Sequence, residues 1–281
     1  MKIVHTIAEI REFVRQARLA GRTVGLVPTM GYLHQGHLEL MRRARERCGL
    51  VVASIFVNPA QFGPNEDLAR YPRDLERDAR LAEEAGVDVI FNPPVEEMYP
   101  PGFCTWVDVE RITENLCGAS RPGHFRGVAT VVTKLFNIVR PDVAFFGQKD
   151  AQQALVIRRM AADLNLDLEI VTVPTLREPD GLARSSRNVY LDPAQRRAAP
   201  VLARSLERAA EAVRAGERDV QKIRRLVEDL IRAEPLAQID YVEIYSYPGL
   251  EPAERLQGPA LLALAVKFGP TRLIDNVILE G

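Results

Sequence analysis

The sequence is short of several residue types that would announce a function class. Its 281 residues include three cysteines, four histidines and five lysines against 32 arginines. Cys48, Cys104 and Cys117 show no metal-ligand or redox spacing, which suits a reduced, cytoplasmic setting. The formal net charge is −1, so there is no whole-chain electrostatic case for nucleic acid or an anionic membrane. No apolar run is long enough to span a bilayer, and Met1-Lys2-Ile3-Val4-His5 is not expected to begin a signal peptide. Neither a nucleic acid nor a membrane is therefore an expected partner. There is no internal repeat or low-complexity stretch. What remains is ordinary globular composition, 47% hydrophobic and 27% charged, in a chain long enough for one large or two modest domains.

The scarce residues are not scattered. Two of the four histidines fall in Pro28-Thr29-Met30-Gly31-Tyr32-Leu33-His34-Gln35-Gly36-His37. An apolar run of strand length, residues 23–27, precedes it, and Leu38, Met41, Ala44 and Cys48 follow at helical spacing. The stretch reads as strand, glycine-rich turn and helix start. A helix start presents unpaired N–H groups and the positive end of the helix dipole, which favours phosphate. Gly31 and Gly36 remove side chains where a ligand must approach the backbone. His34 and His37 add imidazole donors. No Cys or acidic residue stands at ligand spacing beside them, so the pattern favours a phosphate site over zinc.

Around this turn the chain alternates. Residues 6–20 read as an amphipathic helix. Residues 50–57 form a near-continuous apolar run, as in a strand buried on both faces. The loop after it carries Asn58 and Gln61, placed at a strand's carboxyl end to bond a polar substrate, or serving turn chemistry and solvent instead. A charged helix over 73–85, a strand at 87–91, an irregular lid-like stretch over 93–123, a helix at 125–139 and a strand at 143–146 follow. That strand runs into Gly147-Gln148-Lys149-Asp150 and another helix, a second strand–loop–helix site. Lys149 supplies a compact positive charge for phosphate. Asp150 accepts from ribose hydroxyls or caps the helix, whose first turn also holds Gln153. Helix and strand alternate about five times, which predicts an α/β fold: a Rossmann-like, doubly wound parallel sheet over residues 1–175. After Pro174 comes Arg184-Ser185-Ser186-Arg187-Asn188, cations flanking hydroxyls as in a phosphate clamp. Residues 176–281 are expected to be a second, smaller α+β domain that closes over the active site, with helices at 193–215 and 220–234 and three strands.

The string His34-x-Gly36-His37 is similar to the HxGH signature of the nucleotidylyltransferase superfamily. The fuller string from Pro28 to His37 resembles the narrower pantothenate synthetase (pantoate–β-alanine ligase) family. So do Val57-Asn58-Pro59-x-Gln61-Phe62, Tyr71-Pro72-Arg73, Arg121-Pro122-Gly123-His124-Phe125-x-Gly127-Val128, Phe146-Gly147-Gln148-Lys149-Asp150, Asp180-Gly181-Leu182-Ala183-x-Ser185-Ser186-Arg187-Asn188 and Thr271-Arg272-Leu273-Ile274-Asp275-Asn276, in that order along nearly the whole chain.

The resemblance implies ATP-dependent joining of pantoate to β-alanine through an enzyme-bound pantoyl adenylate, with AMP and pyrophosphate released, Mg²⁺ required, and a cytoplasmic homodimer. It implies that His34, His37 and Lys149 are catalytic, with His37 as proton donor. Met30, Gly31, Gly147, Asp150, Leu176, Ser185, Ser186 and Arg187 would meet the nucleotide. Gln61 and Gln153, with Asn58 and Arg121, would meet the organic substrates. Asp78, in the charged helix, is the candidate Mg²⁺ ligand by alignment. Arg184 stands where the family usually has Met or Leu; it is grouped with the nucleotide contacts, either touching phosphate or pointing to solvent. The competing readings are another HxGH nucleotidylyltransferase and a nucleotide-binding module without catalysis. Retention of His34, His37, Lys149 and Arg187 together argues against the second.

Overall fold

The structure, a computed structural model, describes residues 1–64 and 66–281. The chain divides into two compact units, Met1–Gln148 with Gln152–Pro174, and Lys149–Ala151 with Thr175–Gly281. Lys149 and Asp150 thus pack with the second unit although they follow a strand of the first.

The first unit runs β1 (Lys2–Val4), α1 (Ile7–Leu19), β2 (Val24–Thr29), α2 (Gln35–Arg47), β3 (Leu50–Ile55), α3 (Leu75–Glu84), β4 (Val89–Phe91), α4 (Val95–Met98), α5 (Cys117–Ser120), α6 (His124–Val139), β5 (Val143–Gly147), α7 (Ala151–Asp163) and β6 (Glu169–Val173). Among the described residues its six strands form one parallel sheet in the order β1-β4-β3-β2-β5-β6. This is the predicted α/β doubly wound sheet. β2 lies between β3 and β5, so the chain leaves it in one direction and returns on its other side. That is a topological switch point, and the loop leaving the carboxyl end of β2 opens there. β2 and β3 are buried along nearly their whole length, which is why both read as continuous apolar runs. Gly25 is required in β2: a Cβ there would come within 2.8 Å of Cys48 Sγ. Leu38, Met41 and Ala44 of α2 pack with Val27, Val51, Ile90 and Phe145 on one face of the sheet.

Two local expectations change. The strand β1 hides in three residues at the sheet edge, too short to show a period. Residues 93–123 are not wholly irregular but hold the single-turn helices α4 and α5.

The second unit contains α8 (Pro193–Ala198), α9 (Val201–Arg214), α10 (Val220–Arg232), β7 (Ala237–Ser246), β8 (Ala260–Phe268) and β9 (Thr271–Leu279). Among the described residues its strands form an antiparallel sheet, β7-β8-β9, whose inner face packs on α9 and α10 through Leu202, Leu206, Ile223, Val227, Leu262, Leu264 and Phe268. The single helix expected over 193–215 is two. Pro200 has no N–H to continue the ladder, so α8 ends and α9 begins afresh. No described helix is long and apolar enough to cross a membrane.

Candidate active site

The loop after β2 is folded by buried polar groups before it reaches the histidines. Thr29 Oγ1 donates to the Ser54 carbonyl (2.8 Å) and accepts from Gly31 N–H (3.2 Å). Gly31 sits at φ +80°, where a Cβ would press on Ile55 and on the Asp78 carboxylate. Asp78 accepts from the Tyr32 and Leu33 N–H groups at 2.6 and 2.7 Å. Arg77 beside it donates to the Leu33 carbonyl (2.9 Å) and lies over the Tyr32 ring. Asp78 is fully buried, and burial pushes its pKa up while the Leu33 and Tyr32 N–H bonds and the Arg77 charge pull it down. In the structure Asp78 holds the loop that leads to the histidines. Both of its oxygens are committed to the loop backbone, one of them also facing Arg77 at 3.5 Å.

His34 is the N-cap of α2 and His37 its third residue. Nδ1 of His34 accepts from Gly36 N–H (3.1 Å), and Nδ1 of His37 accepts from His34 N–H (3.3 Å). The rings stack with centroids 4.0 Å apart. In each neutral ring the proton then belongs on Nε2, which makes that nitrogen the donor of each histidine. Gly36 allows the pairing, since a Cβ there would come within 2.9 Å of the His34 ring. α2 has no acidic residue in its first turn. The predicted phosphate-binding features thus converge at one helix start.

Beyond β3, Asn58 caps a 3-10 turn over Pro59–Gln61. Its Oδ1 accepts from Ala60 N–H (3.2 Å) and the Tyr99 hydroxyl (2.8 Å); its Nδ2 donates to Gln61 Oε1 and the Gly127 carbonyl, both at 3.1 Å. Asn58 is 1% exposed and bonds the Gln61 side chain. Gln61 also donates from Nε2 to Met30 Sδ (3.1 Å), which ties the two loops together. Burial pushes the Tyr99 phenol up to about 12, keeping it a donor to Asn58. Arg121 grips Glu66 with two bonds of 2.6 and 2.7 Å. Gln153 lies part-buried in the first turn of α7. Its neighbour Gln152, which the sequence did not single out, is buried and holds loop 112–117 through Cys117 N–H and the carbonyls of Ile112 and Asn115. His124, Tyr99 and Gln152 were missed; His124 was legible only as part of the Arg-Pro-Gly-His-Phe string.

In the second unit, Lys149 Nζ lies 3.2 Å from Asp150 Oδ2. The Lys149 carbonyl accepts from Asn276 Nδ2 (2.9 Å), and the next residue back, Asp275, is buried and accepts from both terminal guanidinium nitrogens of Arg177 at 2.6 and 3.0 Å. Ser185 caps the turn Ser186–Tyr190 by accepting from Arg187 N–H (3.2 Å), which fixes the clamp backbone. Ser186 is buried; Arg187 is part-buried. Arg184 pairs with Glu178 at 3.0 Å. Leu176 is 38% exposed, and its carbonyl accepts from Arg184 N–H.

A family model described as pantoate-beta-alanine ligase matches residues 2–278. The chain belongs to the pantoate-beta-alanine ligase family. A pantothenate synthetase from Pelotomaculum thermopropionicum is 76% identical over 279 residues, 99% of each chain. The crystal structure of the Thermus thermophilus pantothenate synthetase superposes with a TM-score of 0.95 at 51% identity, covering all of both chains. A pantoate-beta-alanine ligase from Francisella tularensis, solved in complex with beta-gamma ATP and beta-alanine, matches at a TM-score of 0.79 and 32% identity over 99% of this chain and 97% of that one.

Proposed function

We propose that this ligase joins pantoate to β-alanine by way of an enzyme-bound pantoyl adenylate. The pantoate carboxylate attacks the α-phosphorus of ATP and the bond to pyrophosphate breaks. The β-alanine amine then attacks the acyl carbon, the bond to AMP breaks, and the amine sheds a proton. The observation that carries this reading is the backbone-tied histidine pair of α2, joined with membership of the family.

The chemistry suits the residues. A carboxylate is ionised near pH 7, so adenylation needs no strong base. Its barrier is charge at phosphorus, which fixed donors and a helix N-terminus stabilise. In this reading His34 and His37 donate from Nε2 to phosphate oxygens, and His37 gives a proton to the leaving group. Met30 and Gly31 border the nucleotide; Lys149 meets the developing charge; Gly147 and Asp150 meet the ribose; the backbone at Leu176 meets adenine. Ser185, Ser186 and Arg187 hold phosphate oxygens. Gln61 and Gln153 hold pantoate. Mg²⁺ accompanies ATP and rests mainly on the substrate's phosphates. We also propose a homodimer working in the cytoplasm; a monomer by light scattering at micromolar concentration refutes the dimer.

The test is exchange of labelled pyrophosphate into ATP with pantoate present and β-alanine absent. Exchange that depends on pantoate supports the adenylate and its substrate together. Absence of exchange, in folded protein that binds ATP with Mg²⁺, overturns the reading.

A further inference from the structure

We propose that Arg121 and His124 form a positioning pair that sets the Gln61 side chain, so that they act on the organic substrate through Gln61 and not by touching it. The inference rests on the proposed role of Gln61. His124 is 8% exposed at the start of α6, and its Nδ1 lies 2.9 Å from the Gln61 carbonyl oxygen. Arg121 Nη1 lies 3.0 Å from His124 Nε2. A guanidinium has no acceptor, so it must donate to Nε2, which therefore carries no proton. The ring proton is then on Nδ1 and donates to the Gln61 carbonyl. One arginine thus selects the tautomer that the glutamine backbone needs.

The same arginine reaches past the turn. Its Nε and Nη2 donate to the Glu66 carboxylate at 2.6 and 2.7 Å, five residues after Gln61. Gln61 and Glu66 are therefore both held by the residues at the start of α6 and the turn before it. Burial raises the Glu66 pKa, but the Arg121 bonds outweigh it and hold the group below the ordinary carboxylate range. Gly127 closes the dock from below: a Cβ there would come within 2.2 Å of the Ala60 carbonyl, so the 3-10 turn lies directly on α6. With Asn58 and Met30 on the side-chain amide, every hydrogen bond described for Gln61 is a placement bond. The spacing Arg121-x-x-His124 sets the two side chains on adjacent turns, both facing one peptide.

A double-mutant cycle tests this. Arg121→Ala is expected to raise the pantoate KM about 10-fold and leave the ATP KM within about 2-fold, because misplacing a contact group weakens only what it contacts. In a Gln61→Ala background the same substitution is expected to change the pantoate KM less than 2-fold, since coupled residues are not additive. Glu66→Gln, which keeps the loop's size, is expected to show a smaller change of the same kind, and hydrogen exchange in residues 59–64 is expected to quicken in both variants. Additive effects of Arg121→Ala and Gln61→Ala, or an equal rise in both KM values, overturn the proposal: the first places Arg121 on the substrate, the second makes it a general stabiliser. If Arg121→Ala does not fold, the Glu66→Gln and Gln61→Ala cycle decides by the same criterion. Pantoate-dependent pyrophosphate exchange by the wild-type chain is measured first; its absence is a failure of the proposed function, distinct from additivity within a cycle that works.

Discussion

Replacing Asp78 by Asn changes almost no volume and separates two roles for this carboxylate. The carboxylate accepts from Tyr32 N–H at 2.6 Å and Leu33 N–H at 2.7 Å, and Leu33 is fully buried. The amide oxygen of Asn can take one of these; the other N–H then faces an NH₂ group. A hydrogen bond to a charged group is worth about 1.5–3 kcal/mol, and stranding a buried N–H costs about 1–3 kcal/mol, two figures that partly describe the same loss. Removing a buried charge returns some of it. The expected net loss is about 2–3 kcal/mol, read by guanidinium denaturation through the fluorescence of Trp106, the single tryptophan, which lies in the first unit. Because Tyr32 and Leu33 lead directly into His34, pyrophosphate exchange is expected to fall at least ~10-fold, while the Mg²⁺ concentration for half-maximal rate stays within about 2-fold. A loss below about 0.5 kcal/mol with exchange retained refutes the loop-clamp reasoning. So does a steep rise in Mg²⁺ requirement at unchanged stability, which restores Asp78 as a metal ligand.

Other outcomes follow from the same geometry. Glu66 has its pKa held below 4.5 in the fold, so its contribution is present above about pH 4.5 and is lost as pH falls through the lower folded value. The stability gap between wild type and Glu66→Gln should therefore be constant near neutrality and shrink on acidification below pH 4.5; a gap that grows in acid contradicts the assigned sign. Gly36→Ala places a Cβ 2.9 Å from the His34 ring and should cut exchange at least ~10-fold with stability changed by under ~1 kcal/mol; unchanged exchange would show that the histidine pairing is dispensable. Asp275→Asn breaks a pair buried on the acid side and 32% exposed on the Arg177 side, so its cost should sit at the lower end of about 3–5 kcal/mol. It should also slow exchange by loosening Asn276 from the Lys149 carbonyl, and full activity in the variant would detach that strand from the lysine.

Legibility in the sequence tracked the range of the interaction. The parallel sheet was legible because burial on both faces imposes unbroken apolar runs such as β2 and β3. The histidine pair was legible because a helix N-cap, its glycine and its third residue are neighbours in the chain. β1 was not, because three residues carry no period and its pairing partner lies at Val89–Phe91. The break at Pro200 was written in the chain but overridden in reading by the apolar spacing on either side of it. Asn58, Arg121 and Asp78 were singled out for their polarity and their place beside strands and loops. What each works on was invisible, because Tyr99, Glu66 and the Tyr32 backbone reach them across 41, 55 and 46 positions of sequence.

The order of helices and strands, the glycine-flanked histidines and the family's strings are determined by the sequence itself, because each depends on residues a few positions apart whose chemistry is local. Which polar side chains face a ligand and which hold the backbone that does was decided by tertiary structure alone. A carboxylate or an amide has the same hydrogen-bonding capacity in either role, and only the groups folded against it determine whether that capacity is already spent.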